Sequence, residues 1–180
     1  MEIDPRVPFA GSSVALGSCS LEPVGPSNAA ELARALAGMD PWRTLGYRPE
    51  LLSRYLVRKD AALHRFAVSI RGTAAGCVCI RHPWLMGPFL ELLAVFPGFQ
   101  GKGLGGTLVR WLEGEVRSSC RNIWTTVSSF NASAARFYDH MGFAEVGILR
   151  GLIMPGFDEI LLRKAVDFTA EAAESAERTI

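Results

Sequence analysis

An excess of charge of either sign is what this 180-residue chain most lacks: 19 Lys and Arg stand against 18 Asp and Glu, a formal net charge of +1. A domain that reads nucleic-acid phosphates normally carries a marked basic excess or stripe, so no nucleic-acid partner is expected. Long apolar runs are missing too. The longest uncharged stretch, Val7 to Leu21, falls short of the roughly 20 apolar residues that cross a bilayer. Pro8, Gly11 and Gly17 also interrupt it, so no membrane association is expected. Cysteine is sparse. Cys77 and Cys79 are separated by one residue, Cys19 and Cys120 stand alone, and no C-x-x-C occurs. The three histidines complete no zinc pattern with them, so no metal is expected. Four buried thiols in a reducing compartment is the plain reading.

What is present points to a soluble globular protein. Apolar residues make up 49% and charged residues 21%, enough side chain to repay the entropy of ordering, which excludes a disordered chain. The length suits one domain, with a core over about 16–165 and loose termini at 1–12 and 169–180. Leu16-Gly17-Ser18-Cys19 imitates a lipoprotein processing box. Glu2 and Asp4 outweigh Arg6 before it, whereas a signal peptide needs a positive start. A cytoplasmic protein is expected.

Periodicity gives an order of elements. Leu16 to Glu22 suits a first strand, and Pro26-Ser27-Asn28 caps a helix carrying Leu32, Leu36 and Met39. Arg48-Pro49 opens a second helix with Leu51, Leu52, Tyr55 and Leu56 on its apolar side. Arg65–Ile70 and Ala74–Ile80 alternate around the turn Arg71-Gly72-Thr73. After a break at His82-Pro83-Trp84, Phe89–Phe96 is nearly all apolar, as a strand covered on both faces should be. A helix with Leu104, Leu108, Trp111, Leu112 and Val116 follows, then a strand over Asn122–Val127 and a helix over Asn131–Met141. Phe143–Leu149 and Phe157–Arg163 close the chain as two strands. The pattern β-αα-βββ-α-β-α-ββ predicts an α/β (α+β) fold: one mixed sheet of six or seven strands with helices on both faces.

The chemistry is most legible between the apolar strand and the helix after it. Gln100-Gly101-Lys102-Gly103-Leu104-Gly105-Gly106 lets the backbone turn tightly and removes the Cβ atoms that would block a ligand. N–H groups at the start of the following helix converge with its dipole behind them, an anion site suited to a pyrophosphate. Gly101, Gly103 and Gly106 satisfy G-x-G-x-x-G. The dinucleotide fingerprint fails nonetheless: Pro97-Gly98-Phe99-Gln100 intervenes after the strand, and Asn122–Ser129 holds no acidic residue. A Walker A loop fails because Gly follows Lys102.

The same loop resembles the acetyl-CoA signature Q/R-x-x-G-x-G/A of the GNAT superfamily of N-acetyltransferases, with Gln100, Gly103 and Gly105 in its three places. Leu93-Ala94-Val95-Phe96-Pro97 resembles the strand that precedes it. Asn131-Ala132-Ser133-Ala134-Ala135-Arg136-Phe137-Tyr138, then Met141-Gly142-Phe143, is similar to the family's second hallmark. The resemblance spans about residues 16–165. It implies a largely antiparallel sheet and transfer of an acetyl group from acetyl-CoA to a primary amine. By that resemblance the transfer is direct, through a tetrahedral intermediate.

The resemblance also implies roles. Backbone groups of Leu93, Ala94 and Val95 would pair with the pantetheine arm, and the Val95 N–H would bond the thioester oxygen. N–H groups of Gly101, Lys102, Gly103, Leu104, Gly105 and Gly106 would hold the pyrophosphate. Asn131 caps its helix and, in the family, reaches the CoA chain, with Ala134 and Phe137 beside it. Asn131 and Tyr138 are seven residues apart, so they share a helix face about 10 Å long. Tyr138 is the candidate general acid for the departing thiolate; a core tyrosine with a structural hydrogen bond is the alternative. Glu91 is the only carboxylate of its strand and is the candidate base, on the face of Val95 unless a bulge intervenes. The alternative for Glu91 is pairing with an arginine. Ribosomal-protein N-terminal acetyltransferases tend to carry a glutamate where this chain has Thr126, which weighs against a protein N-terminus as acceptor.

Substrate walls in the family come from the early helices, the loop before the glycine strand and the last strand pair. Trp42, Tyr47, His82 and Trp84 are the wall candidates, with plain packing as the alternative. Of Asp158 and Glu159, alternation lets only one point inward to hold a cationic group. A small-molecule amine is the expected partner, and a homodimer, common in the family, is compatible with the sequence. A lysine or protein N-terminal acceptor, or a non-catalytic acyl-CoA sensor, are the competing readings.

Overall fold

The computed structural model describes residues 8–9 and 13–167. Pro8 and Phe9 apart, the expectations for 1–12 and 169–180 lie outside the described residues. Eight strands and four helices follow one another as β1 (Val14–Leu16), β2 (Cys19–Pro23), α1 (Pro26–Ala37), α2 (Pro49–Val57), β3 (Leu63–Ile70), β4 (Thr73–Trp84), β5 (Gly87–Val95), α3 (Leu104–Val116), β6 (Asn122–Ser128), α4 (Ala132–His140), β7 (Ala144–Met154) and β8 (Phe157–Ala165). The expected first strand is a hairpin instead. Gly17, with φ of +63°, turns the chain between β1 and β2, which raises the count to eight.

The strands form one sheet in the order β1-β2-β3-β4-β5-β6-β8-β7. Every pairing is antiparallel except β5 with β6. A parallel pair needs a crossover, and α3 supplies it. The sheet is covered on both faces. Ala29, Leu32, Ala33 and Leu36 of α1 and Leu52 and Leu56 of α2 pack on Cys77, Cys79, Leu92 and Ala94. On the other face, Leu104, Leu108, Val109, Leu112 and Val116 of α3 pack with Val78, Ile80, Leu90, Ile123 and Val127. Alternation in β4 thus feeds two cores from one strand.

Local signals set the helix starts. Asn28 Oδ1 accepts from the Gly25 N–H at 3.0 Å, and Pro26 occupies the first turn of α1, where its missing N–H costs nothing. Asn131 caps α4 through Oδ1, which accepts from the Ala134 N–H at 3.2 Å. The C-terminal end of α2 is tied to β3: Arg65 donates from Nη1 to the Leu56 carbonyl (3.1 Å) and from Nη2 to the Arg58 carbonyl (2.6 Å). That tie fixes α2 over the sheet. Leu51, expected on the apolar side of α2, is 46% exposed and stands at the rim of a cavity instead.

Candidate active site

The sheet opens between β5 and β6. Their parallel pairing is confined to Phe89 with Trp124 and Leu90 with Thr125, although β5 runs on to Val95 and β6 to Ser128. The Thr125 hydroxyl donates to the Leu90 carbonyl at 2.9 Å and closes the last rung. Beyond it the strands part. Phe96 N–H donates to Ala75 across β4, so alternation aims the Val95 N–H toward the side that β6 has left. The backbone of Leu93 follows Val95 by the same alternation.

The glycine loop stands at the far end of this opening. Gly98, Gly101 and Gly103 have φ of +90°, +72° and +81°, and Gly103 is the N-cap of α3. Only glycine adopts such angles without strain, and successive residues of this kind turn N–H groups to one concave side. Gln100 Nε2 donates back to the Val95 carbonyl (2.8 Å) and Lys102 Nζ to the Gly98 carbonyl (2.7 Å), so these side chains brace the loop. A Cβ on Gly105 would stand 3.2 Å from the Phe137 ring, so the glycine there lets α3 approach α4 closely. A bare backbone cradle beside unpaired strand backbone fits a pyrophosphate with an extended arm, the shape of acetyl-CoA.

A cavity of about 780 Å³ runs through the opening. Tyr138, the one buried residue of α4, reaches it from the α3–α4 face. Burial pushes its phenol up to about 12, with the neighbouring Thr125 hydroxyl pulling the other way. The group therefore stays protonated through the neutral range. Asn131 and Ala134 line the cavity beside Tyr138. On the α1–α2 side, Trp42, Tyr47, Leu51, Tyr55, Trp84 and Phe89 form an aromatic and apolar wall. Trp84 lies 4.8 Å from Phe89 and 5.6 Å from Trp124, ring centre to ring centre.

The two carboxylates of the cavity differ in setting. Glu91 is the extra residue of a bulge: Cys79 pairs with Leu92 and Ile80 with Leu90, leaving Glu91 unpaired. The bulge shifts alternation, so the expected shared face of Glu91 and Val95 is lost. Val95 packs on the α3–α4 core. Glu91 Oε2 instead accepts from Arg81 Nε at 2.8 Å, and Arg81 Nη1 also reaches Asp60 Oδ2 at 3.1 Å. Arg81 lies two residues from Cys79, on the α1–α2 face. The arginine pairing left open by the sequence is therefore realised. Asp60 is held below the usual carboxylate range, first by its hydrogen bond with Arg81.

Of the acidic pair on β8, Glu159 is the one that points inward. It is 3% exposed, and its Oε1 accepts from the Ser128 hydroxyl at 2.6 Å. Burial raises its carboxyl, while hydrogen bonds from Ser128 and Thr126 act against the rise. Asp158 faces solvent, accepting from the Gly151 N–H at 3.0 Å. His82 departs from the wall expected of it. Its ring lies 5.8 Å from Phe9 and its Nε2 3.7 Å from Cys120 Sγ, outside the cavity lining. Several lining residues escaped the sequence reading, Tyr55, Leu152 and Ile153 among them. Tyr55 looked like one more apolar helix position, yet its buried hydroxyl has no hydrogen-bond partner among the described residues. Burial, then Cys79 and Glu91, push that phenol upward. Leu152 and Ile153, at the tip of β7, carry no motif at all.

No group of three or more metal-ligating side chains occurs among the described residues. No helix among them is long and apolar enough to cross a membrane. Comparison with known proteins adds to this geometry. The acetyltransferase (GNAT) family matches residues 29–143. Streptothricin acetyltransferase of Streptomyces lavendulae is 33% identical over 93 residues, 50% of this chain and 49% of that protein. N-alpha-acetyltransferase RimI of Mycobacterium tuberculosis is 31% identical over 123 residues, 66% of this chain and 71% of that protein. The chain thus spans about half the length of the first relative and under three quarters of the second. The crystal structure of a GNAT-family acetyltransferase from Desulfovibrio desulfuricans is 24% identical, with a TM-score of 0.67 over 82% of this chain and 99% of its own. A family match over more than half the chain, on a sheet that opens beside a glycine cradle, places this protein in the GNAT family of acetyltransferases.

Proposed function

We propose that the chain transfers an acetyl group directly from acetyl-CoA to the primary amine of a small molecule. The observation that carries this reading is the junction of two spaces at the β5–β6 opening. The glycine cradle and the Val95 N–H turned toward the opening lie along one stretch, and the aromatic chamber lies on the α1–α2 side. Bound acetyl-CoA would supply an activated thioester. The N–H groups from Gly101 to Gly106 would hold its pyrophosphate, and the N–H of Val95 would stabilise charge on the acyl oxygen. Leu93, Ala94, Asn131, Ala134 and Phe137 would flank its arm.

Tyr138 is the proton donor in this reading, because its phenol is protonated at neutral pH and lines the opening. The acceptor nitrogen must shed a proton, and the cavity offers Glu91 and Glu159 for it. Glu91 is the base expected from sequence, with Arg81 holding its carboxylate in place. Trp42 and Trp84 shape the chamber around the amine. The match with the N-alpha-acetyltransferase RimI favours a second reading, a protein N-terminus as acceptor. Thr126 in place of a glutamate and the aromatic wall of the chamber favour the small molecule.

Thiol release from acetyl-CoA, measured over a panel of small amines and N-terminal peptides, tests the reading. Tyr138→Phe is expected to slow turnover about 10²-fold while keeping acetyl-CoA affinity. Glu91→Gln reads the contribution of that carboxylate. Acetyl-CoA binding with no turnover over the whole panel would instead identify an acyl-CoA sensor.

A further inference from the structure

We infer that Glu159 is the anchor for the acceptor's ammonium, and that the acceptor is a singly charged primary amine on a bulky apolar or aromatic body. This rests on the acetyltransferase reading for the word acceptor, while the amine subsite itself stands on the cavity. Four charged residues line that cavity: Arg58, Arg81, Glu91 and Glu159. Three are already matched. Glu91 and Arg81 form an ion pair at 2.8 Å, Arg81 also meets Asp60, and Arg58 reaches Asp60 at 3.4 Å while stacking on Tyr55. Glu159 has no cation paired with it among the described residues. Its carboxyl oxygen Oε1 accepts from the neutral Ser128 hydroxyl at 2.6 Å, with the equally neutral Thr126 beside it.

The carboxylate of a residue only 3% exposed, lacking a counter-charge, is costly to keep ionised. A bound ammonium would offset that cost, and the wall of a cavity is where one can arrive. The position is apt. Tyr138 packs in one core cluster with Ile123 and Val127 of β6, whereas Ser128, of the opposite parity on that strand, donates to Glu159. Successive strand residues point to opposite faces, so Tyr138 and Glu159 approach the opening from opposite sides of the sheet. An amine on Glu159 therefore stands in the aromatic chamber, across the opening from the phenol.

The rest of the chamber sets the class. Tyr47 is close enough to Glu159 that, after burial, the carboxylate charge helps to raise its phenol. The same cavity is lined by Trp42, Trp84, Phe89 and Leu152, which favour an apolar body extending from the carboxylate. A polyamine would bring further cations to a cavity with one unmatched carboxylate, and their burial would be unfavourable.

Binding of 2-phenylethylamine, 2-phenylethanol, spermidine and a short free-N-terminus peptide, followed by calorimetry without acetyl-CoA, tests this. The wild type is expected to bind 2-phenylethylamine at least about tenfold more tightly than the uncharged alcohol, spermidine or the peptide. In Glu159→Gln the preference for amine over alcohol should vanish while acetyl-CoA affinity stays within twofold. Equal binding of amine and alcohol by the wild type would overturn the proposal whatever the variant does. An amine preference that survives Glu159→Gln, or spermidine or peptide as the tightest ligand, would overturn it too. Failure of acetyl-CoA to bind the wild type would instead strike the acetyltransferase reading, leaving the amine measurement to stand by itself.

Discussion

Glu91 and Glu159 face the same cavity, and their partners make them different groups. Arg81 balances Glu91 at 2.8 Å, whereas Glu159 meets only hydroxyls. The stability consequence has a definite sign. A carboxyl whose folded pKa is raised by burial holds its proton more tightly in the native state. Its ionisation then costs stability as pH climbs from the ordinary carboxylate value through the raised one. Glu159→Gln removes that cost. Thermal unfolding is expected to show a midpoint about 3 °C higher than wild type at pH 7, roughly 1 kcal/mol for a chain of this size. The difference should disappear near pH 4, where both side chains are neutral. An unchanged or lower midpoint at pH 7 would mean that Glu159 has a compensating partner. Sequence alternation allowed only one of Asp158 and Glu159 to point inward. It could not say which, because that depends on which face of β8 meets the cavity.

The opening between β5 and β6 is a property of strands rather than of any one residue. It begins where the Leu90–Thr125 rung ends, and Gly87 controls how closely the strands approach before it. A Cβ on Gly87 would run into the Asn122 carbonyl of β6. Gly87→Ala is therefore expected to cost more than about 2 kcal/mol, lowering the unfolding midpoint by roughly 6 °C. Gly114, inside α3, has open space around its Cβ position. Gly114→Ala should accordingly stabilise by about 0.5–1 kcal/mol. If Gly87→Ala left the midpoint unchanged or raised it, the close approach at Gly87 would be disproved. The glycine signature was readable because glycine alone tolerates the left-handed angles of Gly101 and Gly103. The bulge at Glu91 was not, since an extra residue in one strand is defined only against the partner that skips it.

At the scale of the whole molecule, the cradle and the fold are thermodynamically linked. A ligand that binds only the folded chain at 100 times its Kd adds about 2.7 kcal/mol. Saturating acetyl-CoA is thus expected to raise the midpoint by roughly 8 °C. Gly103→Glu, which puts a negative side chain at the cradle, should abolish the rise. A rise that persists in this variant would place the binding elsewhere. The order of helices and strands was legible in the chain, because apolar periodicity and capping residues act within a few neighbours of each other. The family resemblance rested on two short motifs, and the match over residues 29–143 agrees with it. Local sequence therefore determined the elements, the glycine cradle and the candidate phenol at Tyr138. Only the tertiary structure decided that the first strand is a hairpin, that Arg81 claims Glu91, that His82 leaves the cavity, and that Glu159 enters it. Each of these depends on strands distant in sequence meeting in a particular register, and no local pattern specifies that meeting.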